Sequence, residues 1–392
     1  MSDALVVIFK GISQYQSLNT MATELAEAYR DHGYHVDIID LQDSSQHQYL
    51  SSIIKKSNIH VIINISGYGL DLKLSENLYQ GCGIPVISLY FDPLILYANQ
   101  IDLPISPRLI TTTADTDIEY WGVHRPGGTS IRHLPHAVAP RPVRGGRRRS
   151  GFLVFAGTGN GHPDVMRAEW SRHGPVIVDR LNRILEIVLS DTALRPLSQL
   201  ILEAIGDDVD LREPSILYPY FVTLDLYLRA RQRWKLVCDL AEYPLLVIGE
   251  GWEPLAETLK DRPRARVTFS PARDVRALET VMARATLVLN ACTPYHGSHE
   301  RVFRAMALGT AALTSRTRWF AREAPTDALI QVDLERDHLG SVIDDVLTAP
   351  GKIEEIAEAG TRWFLDHHTW AHRVTCLEEW LACQGRRNQP EA

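Results

Sequence analysis

The stretch YHGSHERVFRAMALGTAALTS, residues 295–315, sets a glycine, a serine and two histidines directly before a run whose apolar residues recur at helical spacing. Val302, Phe303, Met306 and Ala307 form one apolar face, and Gly309 supplies a stop. The start of such a helix exposes main-chain N–H groups and a partial positive charge, and a glycine in the preceding turn lets an anion approach the backbone. Gly297, Ser298 and His299 fit that geometry. Arg301 falls in the first helical turn, where the dipole disfavours a cation, and that placement makes sense if its partner is a phosphate. A helix capped by Ser298 and flanked by surface histidines explains the same residues equally well.

Other side chains suited to chemistry are scattered. Asp92, in YFDP, follows an apolar run, and Pro93 favours an extended turn after it. A carboxylate there is the first choice for a general base, and an Asx turn closing the strand is the competing reading. His296 is a second candidate base and His136 a weaker one, since a lone histidine commonly serves as a structural hydrogen-bonding residue. Gly11, Ser13 and Gln14 follow the first strand, where they either meet a sugar or simply connect strand to helix. His368 and His372 in HHTWAHR have i, i+4 spacing but no third ligand, so packing is the preferred reading over metal binding.

The elements that must position these residues are legible from hydropathy. ALVVIF, HVDIIDL, HVIINISG, PVISLYFD and RLITTT read as strands. LNTMATELAEAYRDHG and LDLKLSENLYQGCG read as the helices between some of them. Strands alternating with helices predict a parallel sheet covered on both faces. The segment APRPVRGGRRRSG, with Arg141, Arg144, Arg147, Arg148 and Arg149, interrupts the pattern as a solvated linker does. A second set follows: GFLVFAGTGNG, PLLVIGEGW, RVTFSPAR, ATLVLNA, AALTS and ALIQV. Between its first two members, about residues 164–240, the apolar spacing is helical. Tyr218, Tyr220, Phe221, Tyr227 and Trp234 there are expected to pack in the core rather than stack on a sugar.

The chain has 392 residues, 45% of them hydrophobic, which is ample for two domains. A net charge of −7 gives no general attraction to nucleic acid. Five dispersed cysteines, Cys82, Cys238, Cys292, Cys376 and Cys383, form no pattern of disulfides or zinc ligands. No segment reads as a signal peptide or a membrane span, so a cytoplasmic protein is expected.

GSHERVFRAMALGTAALTS resembles the donor-binding loop and helix of glycosyltransferases of the GT-B fold. FAGTGNG is similar to the first glycine loop of their C-terminal domain, LLVIGEGW to the following strand, and RVTFSPARDVRALETVMARATLVLNA to the strands and helix before the donor loop. YFDP, HLPHAV and HGSHERVF resemble the bacterial CgeB-like glycosyltransferases, named for a spore maturation protein. The resemblance implies two Rossmann-like doubly wound α/β domains facing a cleft. Residues 1–140 would be the acceptor side, 141–150 a linker, 151–352 the nucleotide-sugar domain with its helical insertion, and 353–392 helices packing back across the hinge.

It further implies that Gly157 and Gly159 approach the donor diphosphate, that Phe269 and Ser270 lie beside the base, and that Gly297, Ser298, His299 and Arg301 hold phosphates. The expected activity is transfer of a sugar from a nucleotide-diphosphate donor, a UDP- or dTDP-sugar, without a metal. The acceptor would be a bacterial protein such as flagellin, a glycan or a small metabolite. One departure stands out: a large retaining branch of the fold carries two glutamates where this sequence has His296 and Arg304. Glu300 is the one nearby substitute for the second, which in that branch holds the ribose. An inactive binding or assembly protein and a sugar-nucleotide epimerase are the alternative readings.

Overall fold

The computed structural model of the protein describes residues 4–11, 14–56, 58–70, 79, 83–101, 108–116, 131–142, 151–205, 217–292, 296–349 and 351–387. The helix expected at LDLKLSENLYQGCG falls mostly outside these residues. So do Ser13, Cys82, Arg144, Arg147, Arg148 and Arg149.

The chain divides into two units, one of Met1–Pro140 with His367–Ala392 and one of Arg141–Asp366. In the first unit, β1 (Leu5–Lys10), β2 (His35–Asp40), β3 (Ile59–Ile65), β4 (Val86–Tyr90), β5 (Leu109–Thr113) and β6 (Ile131–His133) form one sheet in the order β2-β1-β3-β4-β5-β6. All pairings are parallel. Every residue of β4 is buried, as the uninterrupted apolar run of a strand covered on both faces requires.

Alternate residues serve opposite faces. Val6, Ile8, Val61 and Ile63 pack with helix Ser17–Asp31 and with Trp370, Val374 and Leu377 of helix Trp370–Arg387. Val7, Phe9, Ile62 and Val86 face the other way, onto Leu50 and Ile53. Strand β6 was not marked in the sequence, because Ile131, Arg132 and His133 are all half-buried and carry no apolar run.

In the second unit, β7 (Leu153–Ala156), β8 (Leu245–Ile248), β9 (Val267–Ser270), β10 (Leu287–Asn290), β11 (Ala311–Ser315) and β12 (Ile330–Val332) form a sheet in the order β12-β11-β10-β7-β8-β9. These pairings too are parallel. The order is that of the Rossmann fold, and the strand segments match those read from the sequence. Helices Pro163–Glu169, Pro175–Ser190, Leu197–Ile205 and Leu217–Asp239 stand between β7 and β8 as the insertion. Tyr220, Phe221, Tyr227 and Trp234 are buried in it, whereas Tyr218 is 44% exposed.

The two C-terminal helices fall in different units. Helix Lys352–His367 belongs to the second unit, where Thr361 Oγ1 donates to the Met306 carbonyl and Trp363 and Phe364 pack on Phe303. Gly360 sits so close to the Ala328 carbonyl that a Cβ would lie 2.8 Å from its oxygen. Helix Trp370–Arg387 belongs to the first unit. Trp370 Nε1 and the Ala139 N–H both donate to Glu24 Oε2, at 3.1 and 2.9 Å. The division between the two units therefore falls at the break between these helices, near residue 367. Trp370→Ala is expected to cost about 3–5 kcal/mol through the cavity it leaves, measured by denaturant unfolding of the first unit's transition.

Candidate functional site

In the second sheet the strand order reverses between β7 and β10, and ligands of doubly wound sheets bind outside the carboxyl ends of the strands at such a reversal. The turns that follow these two strands carry the GTGNG and HGSHE segments. Helix Glu300–Ala307 starts there and ends at Gly309, whose φ of +70° is the left-handed conformation that a helix stop calls for.

The N-cap is His299 rather than Ser298. His299 Nδ1 accepts from the Arg301 N–H at 3.2 Å, while Ser298 is wholly buried, so its hydroxyl is enclosed rather than offered to a ligand. The main-chain N–H groups of Gly297 and Glu300 make no hydrogen bond among the described residues. They are the donors a bound anion would use.

Arg301 folds back toward the strand. Its Nη1 donates to Asn290 Oδ1 at 2.5 Å, which holds the guanidinium at the carboxyl end of β10. Asn290 is itself buried and donates from Nδ2 to Thr314 Oγ1 and Cys292 Sγ, both at 3.0 Å. Burial raises the pKa of the Cys292 thiol, with partial opposition from Thr314, Asn290 and Arg301. The sequence reading missed Asn290, because a single amide closing a strand looks like an ordinary strand end.

Arg304 faces the other way and is buried. Its Nε donates to Glu300 Oε1 at 2.8 Å, and its Nη1 pairs with Glu279 of helix Val275–Met282. Arg141 closes the chain, donating to both oxygens of Glu279, with Nη2 at 2.8 Å from Oε1 and Nε at 3.1 Å from Oε2. Burial alone would raise the Glu279 carboxyl, but Arg141 and Arg304 outweigh it and hold the pKa below its usual range. Two acids alternate with two bases. Arg141 is thus a paired structural residue rather than part of a solvated linker, and Glu300 is held by Arg304 rather than standing free to replace a ribose-binding acid.

The glycines after β7 have a packing role. The Gly157 N–H donates to the Ile248 carbonyl at 2.9 Å and the Gly159 N–H to the Glu250 carbonyl at 2.8 Å. A Cβ on Gly159 would meet the Gly251 carbonyl oxygen at 2.1 Å. These two amides are committed to the neighbouring loop. Trp252 Nε1 donates to the Gly157 carbonyl and Arg233 Nη1 to the Thr158 carbonyl, both at 2.7 Å. Arg233 comes from the helical insertion, so nothing in the sequence near the glycine loop announces it.

Phe269 and Ser270 end the edge strand β9. Phe269 is half-buried with its ring 6.2 Å from that of Trp252, and Ser270 Oγ accepts from Arg273 at 3.3 Å. With β8 and β7 between them, β9 and β10 are three strand spacings apart, about 14 Å, a span that a nucleoside diphosphate can bridge.

His296 has a φ of +59°, and its carbonyl accepts from the Trp319 N–H at 3.1 Å. Burial lowers its pKa to about 4, against the opposing field of Asp191 and a hydrogen bond to the Arg195 main chain. It lines a cavity of about 80 Å³ with Asp191, Arg195, Gln232, Cys292 and Ser315. With the pKa lowered in this way the imidazole is neutral at pH 7.

In the first unit, Asp92 follows β4 and stays half-buried, with Oδ2 accepting from the Tyr97 hydroxyl at 3.2 Å. Burial, with Asp92 beside it, raises the Tyr97 pKa. His136 is buried with its ring 4.9 Å from that of Phe91, and its carbonyl accepts from Arg373. His368 Nδ1 also accepts from Arg373, at 2.8 Å. Among the described residues no three His, Cys, Asp or Glu side chains gather as a metal-holding group. No described helix is long and apolar enough to cross a membrane.

Residues 231–379 match a family model described as glycosyl transferase-like. No curated protein matches the chain. Among solved structures, the chain is similar to a sucrose-phosphate synthase from Thermosynechococcus elongatus, at 13% identity and a TM-score of 0.56, covering 98% of this chain and 100% of that one. An α-glucosyltransferase in complex with UDP-glucose and DNA containing an abasic site gives 8% identity and a TM-score of 0.60, with 96% and 99% covered. The T4 phage BGT in complex with its UDP-glucose substrate gives 11% identity and a TM-score of 0.53, with 98% of each covered. The architecture is thus that of GT-B: two Rossmann-like units, each with a parallel sheet.

Glu279→Gln leaves two buried arginines short of a charge and is expected to cost about 3–5 kcal/mol at pH 7. Because the folded pKa of Glu279 is lowered, its stabilisation is complete above the unfolded value of about 4.3 and is lost as pH falls through the folded one. Denaturant melts of parent and variant should therefore converge on the acid side of pH 4.

Proposed function

We propose that the protein transfers a sugar from a nucleoside-diphosphate donor to an acceptor hydroxyl. The observation that carries this reading is Arg301, held at the carboxyl end of β10 beside a glycine turn and a helix start, at the reversal of a Rossmann-ordered sheet. The glycosyl transferase-like match over residues 231–379 and the likeness in fold to proteins solved with UDP-glucose support it. The finer resemblance to the CgeB-like branch rests on YFDP, HLPHAV and HGSHERVF.

The diphosphate would take the N–H groups of Gly297 and Glu300 and the charge of Arg301, and a uracil or thymine base would lie toward Phe269 and Ser270. As the glycosidic oxygen departs, negative charge grows on the diphosphate. The helix start and Arg301 stabilise that charge, and no step is routed through a metal. In the first unit Asp92, held by Tyr97, would accept the proton of the acceptor hydroxyl as its oxygen attacks the anomeric carbon. The acceptor is a protein, a glycan or a small metabolite. The replacement of two glutamates by His296 and Arg304 favours a second reading, a binding or assembly protein without turnover.

Arg301→Ala is expected to weaken UDP binding ten- to a hundredfold, the worth of a charge-assisted hydrogen bond of about 1.5–3 kcal/mol, by isothermal titration. Unchanged affinity would remove Arg301 from the site. Asp92→Asn should bind UDP as the parent does and transfer about 10²–10⁴ times more slowly. Transfer at the parent rate would exclude Asp92 as the base. Absence of both transfer and donor hydrolysis in a parent that binds UDP would favour the binding protein.

A further inference from the structure

We propose that the second unit carries a further binding site, for a small phosphorylated sugar or polyol, in the cleft at the amino ends of β8 and β9. The proposal does not rest on the donor reading. A donor would bind at the carboxyl ends of the same strands, about 13 Å away along four residues of strand.

The cleft has a volume of about 710 Å³, within the range of small-molecule sites. Its lining comes from the end of helix Leu217–Asp239 and the turn into β8, from the turn into β9, and from the start of helix Leu339–Thr348. All three belong to the second unit.

The turn into β9 brings the cations. The Ala265 N–H donates to the Arg262 carbonyl at 3.1 Å, closing a β-turn with Pro263 in its second position, where the fixed φ of the ring is favoured. Arg262 and Arg264 are thus carried on one short, stiffened turn. Arg262 reaches only the Cys238 carbonyl, with Nη1 3.5 Å away. Among the described residues Arg264 makes no hydrogen bond or ion pair. Two guanidiniums on one four-residue turn repel each other, and an anion bound by both relieves that repulsion.

Two of the acids in the cleft are committed elsewhere. Asp239 Oδ2 pairs with Lys235 Nζ at 2.6 Å, and Asp344 Oδ1 accepts from the Tyr243 hydroxyl at 2.7 Å. The charges left without an ion partner beside the cleft, Arg262, Arg264 and the exposed Glu242, sum to a positive value. Away from the arginines the lining offers Glu242, the second oxygen of Asp344 and the Ser341 hydroxyl. Carboxylates of this kind accept from hydroxyl groups. A ligand with a phosphate at one end and hydroxyls at the other satisfies both parts. Inorganic phosphate would fill a small fraction of the volume, and an uncharged sugar would leave both arginines unpaired.

The test is titration calorimetry of the full chain with glucose 6-phosphate, glucose 1-phosphate, fructose 6-phosphate and glycerol 3-phosphate, with glucose and inorganic phosphate as controls. At least one of the four should bind tenfold more tightly than either control. R262A and R264A, at exposed positions where truncation leaves Tm unchanged, should each weaken that ligand at least tenfold. D344N should weaken it three- to tenfold, and R301A should stay within twofold of the parent. Parent-like binding in both R262A and R264A overturns the proposal, as does a loss in R301A, which places the ligand in the donor crevice. Inorganic phosphate binding as tightly as the four, or an unchanged affinity in D344N, overturns the class of ligand. Absence of binding by all four at millimolar concentration overturns the site.

Discussion

The alternation Glu300–Arg304–Glu279–Arg141 is the constraint on which the second unit's site depends. A buried ion is tolerated only when fully paired, and each inner member of this chain is shared by two partners. The arrangement ties the start of the unit at Arg141 to the helix before β10, and that helix to the one after it. It also removes the charge of Glu300 from the place where an anion would arrive. The start of helix Glu300–Ala307 and the Arg301 guanidinium, hydrogen-bonded to Asn290, both lie at the carboxyl end of β10.

The glycine loop after β7 illustrates how easily a motif is assigned the wrong cause. Its glycines are required because two loops pack backbone to backbone: Gly159 lies against Gly251, and a Cβ on Gly249 would meet the Gly157 carbonyl oxygen at 2.2 Å. The insertion completes this arrangement from a distance in sequence, with Arg233 on the Thr158 carbonyl, and it binds the far side of the sheet through Arg231 on Glu335, 2.7 Å from Nη2 to Oε2. The elaboration between β7 and β8 is therefore part of what holds the site's loops.

Much of this architecture was visible in the residues themselves. Runs such as VISLY and LVLN are largely apolar without alternation because both faces of a central parallel strand are buried, and the less buried β2, β9 and β12 were read from shorter apolar stretches beside turn residues. The short β6 was not read, since Ile131, Arg132 and His133 include one aliphatic residue and form no run. The helix start at Glu300 and the stop at Gly309 were equally plain, while the cap was misassigned: Ser298 has the better capping propensity, but it is enclosed and His299 takes the position.

What the sequence determined by itself was the local order: the period of its hydrophobic residues, the alternation of strand and helix, the glycine that ends a helix and the polar turn that begins one. These depend on neighbours a few residues apart, and so they are written in spacing. What only the tertiary structure decided was the partnership of each charged and polar group. Arg304 with Glu279, Arg301 with Asn290 and Arg233 with Thr158 depend on which strands lie side by side and which loops meet. Electrostatic and hydrogen-bonding roles are set by distance and burial, and the sequence supplies the groups without fixing either.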